Sequence, residues 1–313
     1  MLRLIGRRLA LAVPLLLVVS MITFFLQSLL PGDAARAFLG INATPEQYEA
    51  LREALHLNEP ILVQYWIYLS GVLQGDFGTS IYTGQPVLET IAQRLPISLS
   101  LIIGGTLVAA LVGVLFGILS ATRGPIVRRI VDVGSLIGGA LPGFWLGLVL
   151  SLIFAGMLGW FPSTGYVDFS TSPALWASSL VLPVAALAIG AVGIIAKVTR
   201  DQMLTTVQQP YIRTLRAAGA SETSIIWKHA LRGAGIGILT VVGLVFIGSL
   251  SGTVLVETVF VLPGLGGLAV SATARHDIPV IQGIALTFTL IVIIVNLLVD
   301  IAYALLNPKV RTS

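Results

Sequence analysis

The chain has 313 residues, 56% of them hydrophobic and 10% charged, with no cysteine and a mean hydropathy of +0.96. Soluble domains carry about 25% charged residues, so an ordinary soluble domain, a disordered chain and a disulfide-stapled module are all excluded, and lipid must be part of the solvent. The formal net charge of +4 does not mark a nucleic-acid partner, because apolar runs break up the basic residues.

Six apolar runs, at 9–30, 97–121, 131–158, 176–196, 234–256 and 279–305, are long enough to cross a bilayer, since ~30 Å of hydrocarbon takes about 20 residues at ~1.5 Å each. They lack the alternation of barrel strands, so helices must satisfy the backbone in lipid. Of the 18 Lys and Arg residues, 14 fall on one side of these spans. They are Arg3, Arg7 and Arg8 before the first; Arg123, Arg128 and Arg129 between the second and third; Lys197, Arg200, Arg213, Arg216, Lys228 and Arg232 between the fourth and fifth; and Lys309 and Arg311 after the sixth. Positive loops stay cytoplasmic, which places both termini inside. Arg36, Arg52, Arg94 and Arg275 fall on the other side.

The first run follows a basic start and precedes an Ala-x-Ala-like triplet at Ala35 to Ala37, but it exceeds the apolar core of a signal peptide and reads as a retained helix. The external segment that follows holds Asp33, Glu46, Glu49, Glu53, Glu59, Asp76 and Glu89 against three arginines, a small acidic subdomain. Thr44-Pro45-Glu46-Gln47 predicts a helix start closed by a capping box, ending before Pro60. Apolar residues from 61 to 73 recur at helical spacing over too short a length to span. With Tyr65, Trp66 and Tyr68 they predict an interfacial helix that either packs over the outer span ends or meets a partner. Residues 75–80, Gly-Asp-Phe-Gly-Thr-Ser, predict a turn.

Small residues four apart, Gly113 and Gly117 in the second span and Gly139, Gly143 and Gly147 in the third, predict close helix packing. Pro142 and Pro183 predict kinks. The span interiors hold essentially no ionisable groups, with Asp132, Glu257 and Asp300 near their ends, so a proton relay is disfavoured. His56, His229 and His276 are dispersed among the connecting segments, which argues against both a buried Ser-His pair and a metal site. No lysine follows a glycine, so a phosphate-binding P-loop is absent and any ATP must be hydrolysed by another chain.

Between the fourth and fifth spans the polar stretch 197–232 is longer than a helix hairpin needs. Pro210 opens and Gly219 closes a short helix, and Ser221 can cap a second through Ile225, Ile226 and Trp227. Two readings stand side by side: a helix pair that docks into a groove of a cytoplasmic partner, or apolar residues lying on the bilayer among topogenic arginines.

The stretch resembles the inner loop of permease subunits of binding-protein-dependent ABC importers, in the dipeptide, oligopeptide and nickel branch. Arg213-Thr214-Leu215 takes the position of that family's Glu-Ala-Ala-type triplet, in an Arg-Thr-Ala-like form, and Gly219 that of its glycine; His229-Ala230-Leu231-Arg232 is a degenerate form of its later element. Residues 75–80, Leu141-Pro142-Gly143-Phe144-Trp145-Leu146-Gly147 and the segment from Val256 to Gly267 resemble further motifs of the branch, in its order and spacing over nearly the whole chain.

The resemblance implies an all-α polytopic membrane protein of the type I ABC importer permease kind, with six transmembrane helices. It divides into 1–30 as N-terminus and first helix, 31–95 as extracytoplasmic subdomain, 96–305 as five-helix core with coupling loop 197–232, and 306–313 as cytoplasmic tail. It implies docking of an ATPase subunit by Tyr211, Arg213, Thr214, Leu215, Arg216, Ala218, Gly219, Ala220 and Ser221. Asp76, Phe77, Gly78, Glu257, Pro263, Gly264 and Gly266 are implied as an extracytoplasmic gate or binding-protein contact. The implied partners are a second homologous permease, two cytoplasmic ATPase subunits that hold ATP and Mg, an extracytoplasmic solute-binding protein and membrane lipid, with no cofactor in this chain. The implied function is ATP-driven import of short peptides through the cell membrane. The alternatives are import of nickel chelates or another small polar solute by the same machinery, an ATP-independent secondary transporter, and a structural scaffold. Gly219→Asp is expected to uncouple transport from ATP hydrolysis while leaving insertion intact.

Overall fold

The computed structural model describes residues 2–29, 34–40 and 43–306. Asp33 of the acidic segment, and Lys309 and Arg311 with the rest of the tail from 307, lie outside the described residues. Among those described, regular structure is helical, with one isolated bridge between Thr79 and Pro86. Five helices are long and apolar enough to cross a membrane, and a sixth span is made by a bent pair. The all-α, multi-span architecture expected from the sequence is therefore present.

The chain divides into two compact units. One comprises Leu2–Ile97 and Pro263–Ile293. It contains α1 (Leu2–Ser28), α2 (Ala34–Leu39), α3 (Pro45–Ala54), α4 (Ile61–Leu73), the start of α5 (Val87–Thr122), α12 (Leu265–Arg275) and the start of α13 (Ile278–Leu306). Thr44 caps α3 as its sequence predicts: the Thr44 hydroxyl accepts from the Gln47 amide and the Gln47 side chain accepts from the Thr44 N–H. Helix α4 lies along α1, where the Tyr65 ring meets Phe24 edge-on at 5.6 Å and its hydroxyl bonds Ser20 at 2.8 Å. The core of this unit is Val87 and Ile91 of α5, Leu265 and Ala272 of α12, and Val280 and Ile284 of α13, with Phe77 packed against it. The acidic segment thus shares its core with residues nearly 200 positions later.

The other unit comprises Ser98–Leu262 and the C-terminal residues from Ile294. Here α8 (Pro173–Val207) packs against α6 (Pro125–Ala140), α7 (Gly143–Leu150) and α11 (Leu231–Phe260). Gly113 and Gly117 bring α5 onto α8 as expected: a β-carbon at Gly117 would lie 2.5 Å from Thr199 Cβ and 2.7 Å from the Ala196 carbonyl oxygen. Two apolar clusters fix these helices, one around Ala109, Ala188, Ile195 and Val241 and the other around Ile118, Met203, Ala230, Ala234 and Ile238.

The third span departs from the kinked helix expected at Pro142. It is broken, with α6 and the following helix bent by 99°. Leu141 takes an extended conformation at ψ 130°, because a residue ahead of proline avoids the helical region, and Pro142 at ψ 136° then starts α7 anew. The break also splits the glycine series: a β-carbon at Gly139 would meet nothing within 4 Å, whereas Gly147 faces the Phe260 ring. Pro183, by contrast, lies within an unbroken α8. Beyond α7 the helix continues to Met157 with wider π-type turns.

Candidate functional site: the connection between α8 and α11

Residues 197–232 are not a loop. Helix α8 continues to Val207 and, at ~1.5 Å per residue, reaches about 52 Å, well past a ~30 Å hydrocarbon core. Buried residues at helical spacing, Thr199, Met203 and Thr206, hold this polar extension against its neighbours. The first breaker is Pro210, which starts α9 (Pro210–Ala217).

Helix α9 ends as its sequence predicts. Ala220 N–H donates to the Leu215 carbonyl at 3.0 Å and Gly219 N–H to the Arg216 carbonyl at 3.0 Å, a Schellman closure with Gly219 at φ +82°. A β-carbon there would meet nothing within 4 Å, so the constraint at this position is the left-handed backbone and no neighbouring atom. Ser221 then caps the next helix by accepting from Ser224 N–H at 3.3 Å. That helix is not the separate short element expected. α10 (Glu222–Ser224) runs through a π-type segment, Ile225–Ala230, straight into α11 as one continuous helix, Glu222–Phe260. Ile225, Ala230 and Ala234 are buried at helical spacing beneath Lys228 and Arg232, so no break interrupts the path from the turn to the span.

Across the turn the Arg216 guanidinium makes two bonds to the Glu222 carboxylate, at 2.6 and 3.1 Å. These bonds hold the Arg216 guanidinium above its ordinary pKa. Ile212 and Ile225 are wholly buried and anchor the two sides. A β-carbon at Gly233 would lie 3.1 Å from the Tyr211 hydroxyl, so α9 also sits close upon α11. Of the residues implied to dock an ATPase subunit, Tyr211, Arg213, Thr214, Arg216, Ala218, Gly219 and Ser221 are exposed, and Leu215 and Ala220 are half-buried. Helix α9 and the turn after it therefore collect all nine.

Arg200 was expected among the topogenic loop cations. It is 7% exposed on α8, paired with Asp132 of α6 and, at 3.2 Å, with Asp201. The sequence offers little signal of this, because the buried stripe of Thr199, Met203 and Thr206 that carries α8 past it is mostly polar.

The second set of implied residues divides between the two units. Asp76 is exposed and its carboxylate accepts the Gly78 N–H at 2.8 Å, forming the expected turn; Phe77 and Gly78 are half-buried. Pro263 is exposed, whereas Gly264 and Gly266 are buried at the start of α12. In the same unit Asp277 accepts from the Ser80 hydroxyl at 2.5 Å and from the Ile81 N–H at 3.3 Å, tying the turn to the entry of α13. Glu257 belongs to the other unit, 1% exposed on α11, and accepts from the Ser98 hydroxyl at 2.6 Å. Val261, four residues on, closes α11 at φ 54°, a left-handed conformation that a β-branched side chain rarely adopts.

A cavity of ≈ 270 Å³ opens beside the broken span, lined by Pro142, Gly143, Gly190, Gly248, Ser249 and Gly252 among others. Its walls are glycine backbone, the apolar side chains of Leu141, Phe144, Leu146, Leu187 and Leu255, and the Ser249 hydroxyl. Charge plays no part in it, and a β-carbon at Gly248 would meet nothing within 4 Å.

The chain matches the family model of binding-protein-dependent transport system inner membrane components over residues 113–312, and that family's N-terminal model over residues 1–102. It is 41% identical over 309 residues to a putative peptide transport system permease protein of Brucella abortus, covering 98% of both chains. A probable peptide ABC transporter permease protein of Sinorhizobium fredii is 40% identical, over 97% of this chain and 98% of its own. A glutathione transport system permease protein of Salmonella choleraesuis is 38% identical over 99% of both. Among solved structures, inward-facing MetNI, a methionine ABC transporter, shares the fold with a TM-score of 0.57 at 16% identity, covering 70% of this chain and 97% of the other. Of the readings that the sequence leaves open, these matches select one: the chain belongs to the family of binding-protein-dependent transport system inner membrane components, as a permease.

Proposed function

We propose that this chain is the permease of an ATP-driven importer of short peptides in the cytoplasmic membrane, with both termini inside. It pairs with a second homologous permease, two cytoplasmic ATPase subunits that bind ATP and Mg, and an extracytoplasmic solute-binding protein. The observation that carries the coupling role is the construction of the α8–α11 connection. An exposed turn closed by the bonds from Gly219 and Ala220 is joined without a break to α11 and seated on α8. A push on α9 is thereby delivered to two spans as a rigid-body displacement. The relatives' names, for peptide and glutathione transport, support a short-peptide solute.

The cavity beside the Leu141–Pro142 break is the segment of path contributed by this chain. Its uncharged lining carries little selectivity, which leaves the choice of solute to the binding protein. Because the chain has no cysteine, an introduced cysteine is the one thiol that can be labelled in it. Gly252→Cys in membranes containing the whole importer is expected to react with a small polar thiol reagent, and binding protein loaded with dipeptide plus ATP is expected to change the rate. Co-purification of the ATPase subunits, abolished by removing residues 210–219, tests the coupling role. Labelling indifferent to transport conditions removes the path assignment, and retention of the ATPase subunits without α9 removes the coupling assignment.

A further inference from the structure

A second cavity, of ≈ 330 Å³, lies within the unit of Leu2–Ile97 and Pro263–Ile293. The last turn of α1, with Phe24 and Gln27, and the first turn of α13, with Ile278 and Ile281, line it from two sides. Ends of spans lie where hydrocarbon gives way to headgroups. Helix α1 is apolar and exposed along most of its length, up to Leu26 at 59%, the surface of a helix suited to lipid.

Three of its polar side chains are left without partners. The Gln27 amide, the Tyr68 hydroxyl and His276 Nδ1 are buried and have no hydrogen-bond partner. Buried polar groups left in that state are costly and call for one. Burial, reinforced by Tyr65, pushes the Tyr68 phenol up, so it remains a protonated donor. The Arg52 guanidinium and the His56 imidazole line the same space, and no carboxylate is among its described lining residues. Donors and positive charge above apolar walls of Phe24, Ile67 and Ile281 fit a phosphate attached to an acyl chain.

We propose that this cavity binds an anionic membrane phospholipid, its phosphate at Arg52, Tyr68 and His276 and its upper acyl segment between α1, α4 and α13. The test takes the full chain with its co-purifying subunits, in nanodiscs of phosphatidylethanolamine with or without phosphatidylglycerol, and reads retained lipid by native mass spectrometry. Phosphatidylglycerol is expected to be retained in preference to phosphatidylethanolamine. Arg52→Gln should lower its retention by roughly tenfold, the effect of losing one charge-assisted contact, and the cavity-filling Ile67→Trp should lower it by occupying the space. On the unaltered protein, phosphatidylglycerol with a photoreactive acyl chain should crosslink within 52–68 or 276–281, a readout that survives if either variant misfolds. Crosslinks confined to other segments overturn the proposal, as does equal retention of the two lipids. Displacement of the lipid by inorganic phosphate or glycerol phosphate also overturns it and makes the ligand a soluble anion. Transport of solute enters none of these measurements, so the lipid site and the importer reading fail separately.

Discussion

Gly219 offers a sharp test of how α9 works, because the structure separates two reasons for a glycine that are usually entangled. A β-carbon there meets nothing within 4 Å, so a substitution costs no packing within the chain. Its φ of +82° does impose a cost: an L-residue in the left-handed region loses about 1–2 kcal/mol, less for Asn, more for a β-branched side chain. Gly219→Val should therefore weaken the closure made by the 3.0 Å bonds from Gly219 and Ala220, while Gly219→Asn preserves it. A difference of 1–2 kcal/mol corresponds to roughly a 5–30-fold shift in the ordered turn. The assay is co-purification of the ATPase subunits and ATPase stimulation by loaded binding protein, with insertion checked by membrane yield. The Val variant should lose about that factor in both, and the Asn variant should stay close to the unaltered chain. Gly219→Asp keeps a left-handed-tolerant residue, so uncoupling there reports the added charge at the docking surface. Equal behaviour of Val and Asn, in either direction, would refute the conformational argument.

Four further outcomes follow from packing and charge. Gly117→Ala drives a methyl into Thr199 and the Ala196 carbonyl and should destabilise the α5–α8 contact by about 1–3 kcal/mol, read as a lower thermal transition, while Gly248→Ala should be neutral. Asp132→Leu leaves the buried Arg200 with Asp201 alone and should cost more thermal stability than Arg200→Met, which leaves a carboxylate whose side chain is 40% exposed. Val261→Gly should raise thermal stability by about 1 kcal/mol through release of left-handed strain. Charge reversal at Arg216 or Glu222 should weaken ATPase-subunit retention, and the double reversal should restore it, if the pair fixes the turn.

The elements that could be read in the sequence are those governed by local chemistry. The Thr44 capping box, the α4 boundaries at Ile61 and Leu73, the start of α9 at Pro210 and its closure at Gly219 all depend on residues a few positions apart. What escaped depended on distance or on composition overriding pattern. The polar content of 197–207 concealed a continuous α8, because the buried stripe of Thr199, Met203 and Thr206 has too few apolar residues to stand out. Arg200 looked like a loop cation until Asp132, 68 residues away, was brought beside it. Leu141 carried a legible signal, the extended bias ahead of proline, yet a proline in an apolar run reads equally as a kink. The cavity at Gln27, Tyr68 and His276 is assembled from three distant segments and leaves no trace in any one of them.

The central claim is that this chain is a gate with no motor of its own, moved by an ATPase held at α9. Uptake of labelled dipeptide into proteoliposomes tests it directly, with the chain alone compared against the chain reconstituted with the second permease, the ATPase subunits, loaded binding protein and ATP. Accumulation only in the complete, ATP-supplied vesicles is the predicted result. Accumulation by the chain alone, without nucleotide, would contradict it.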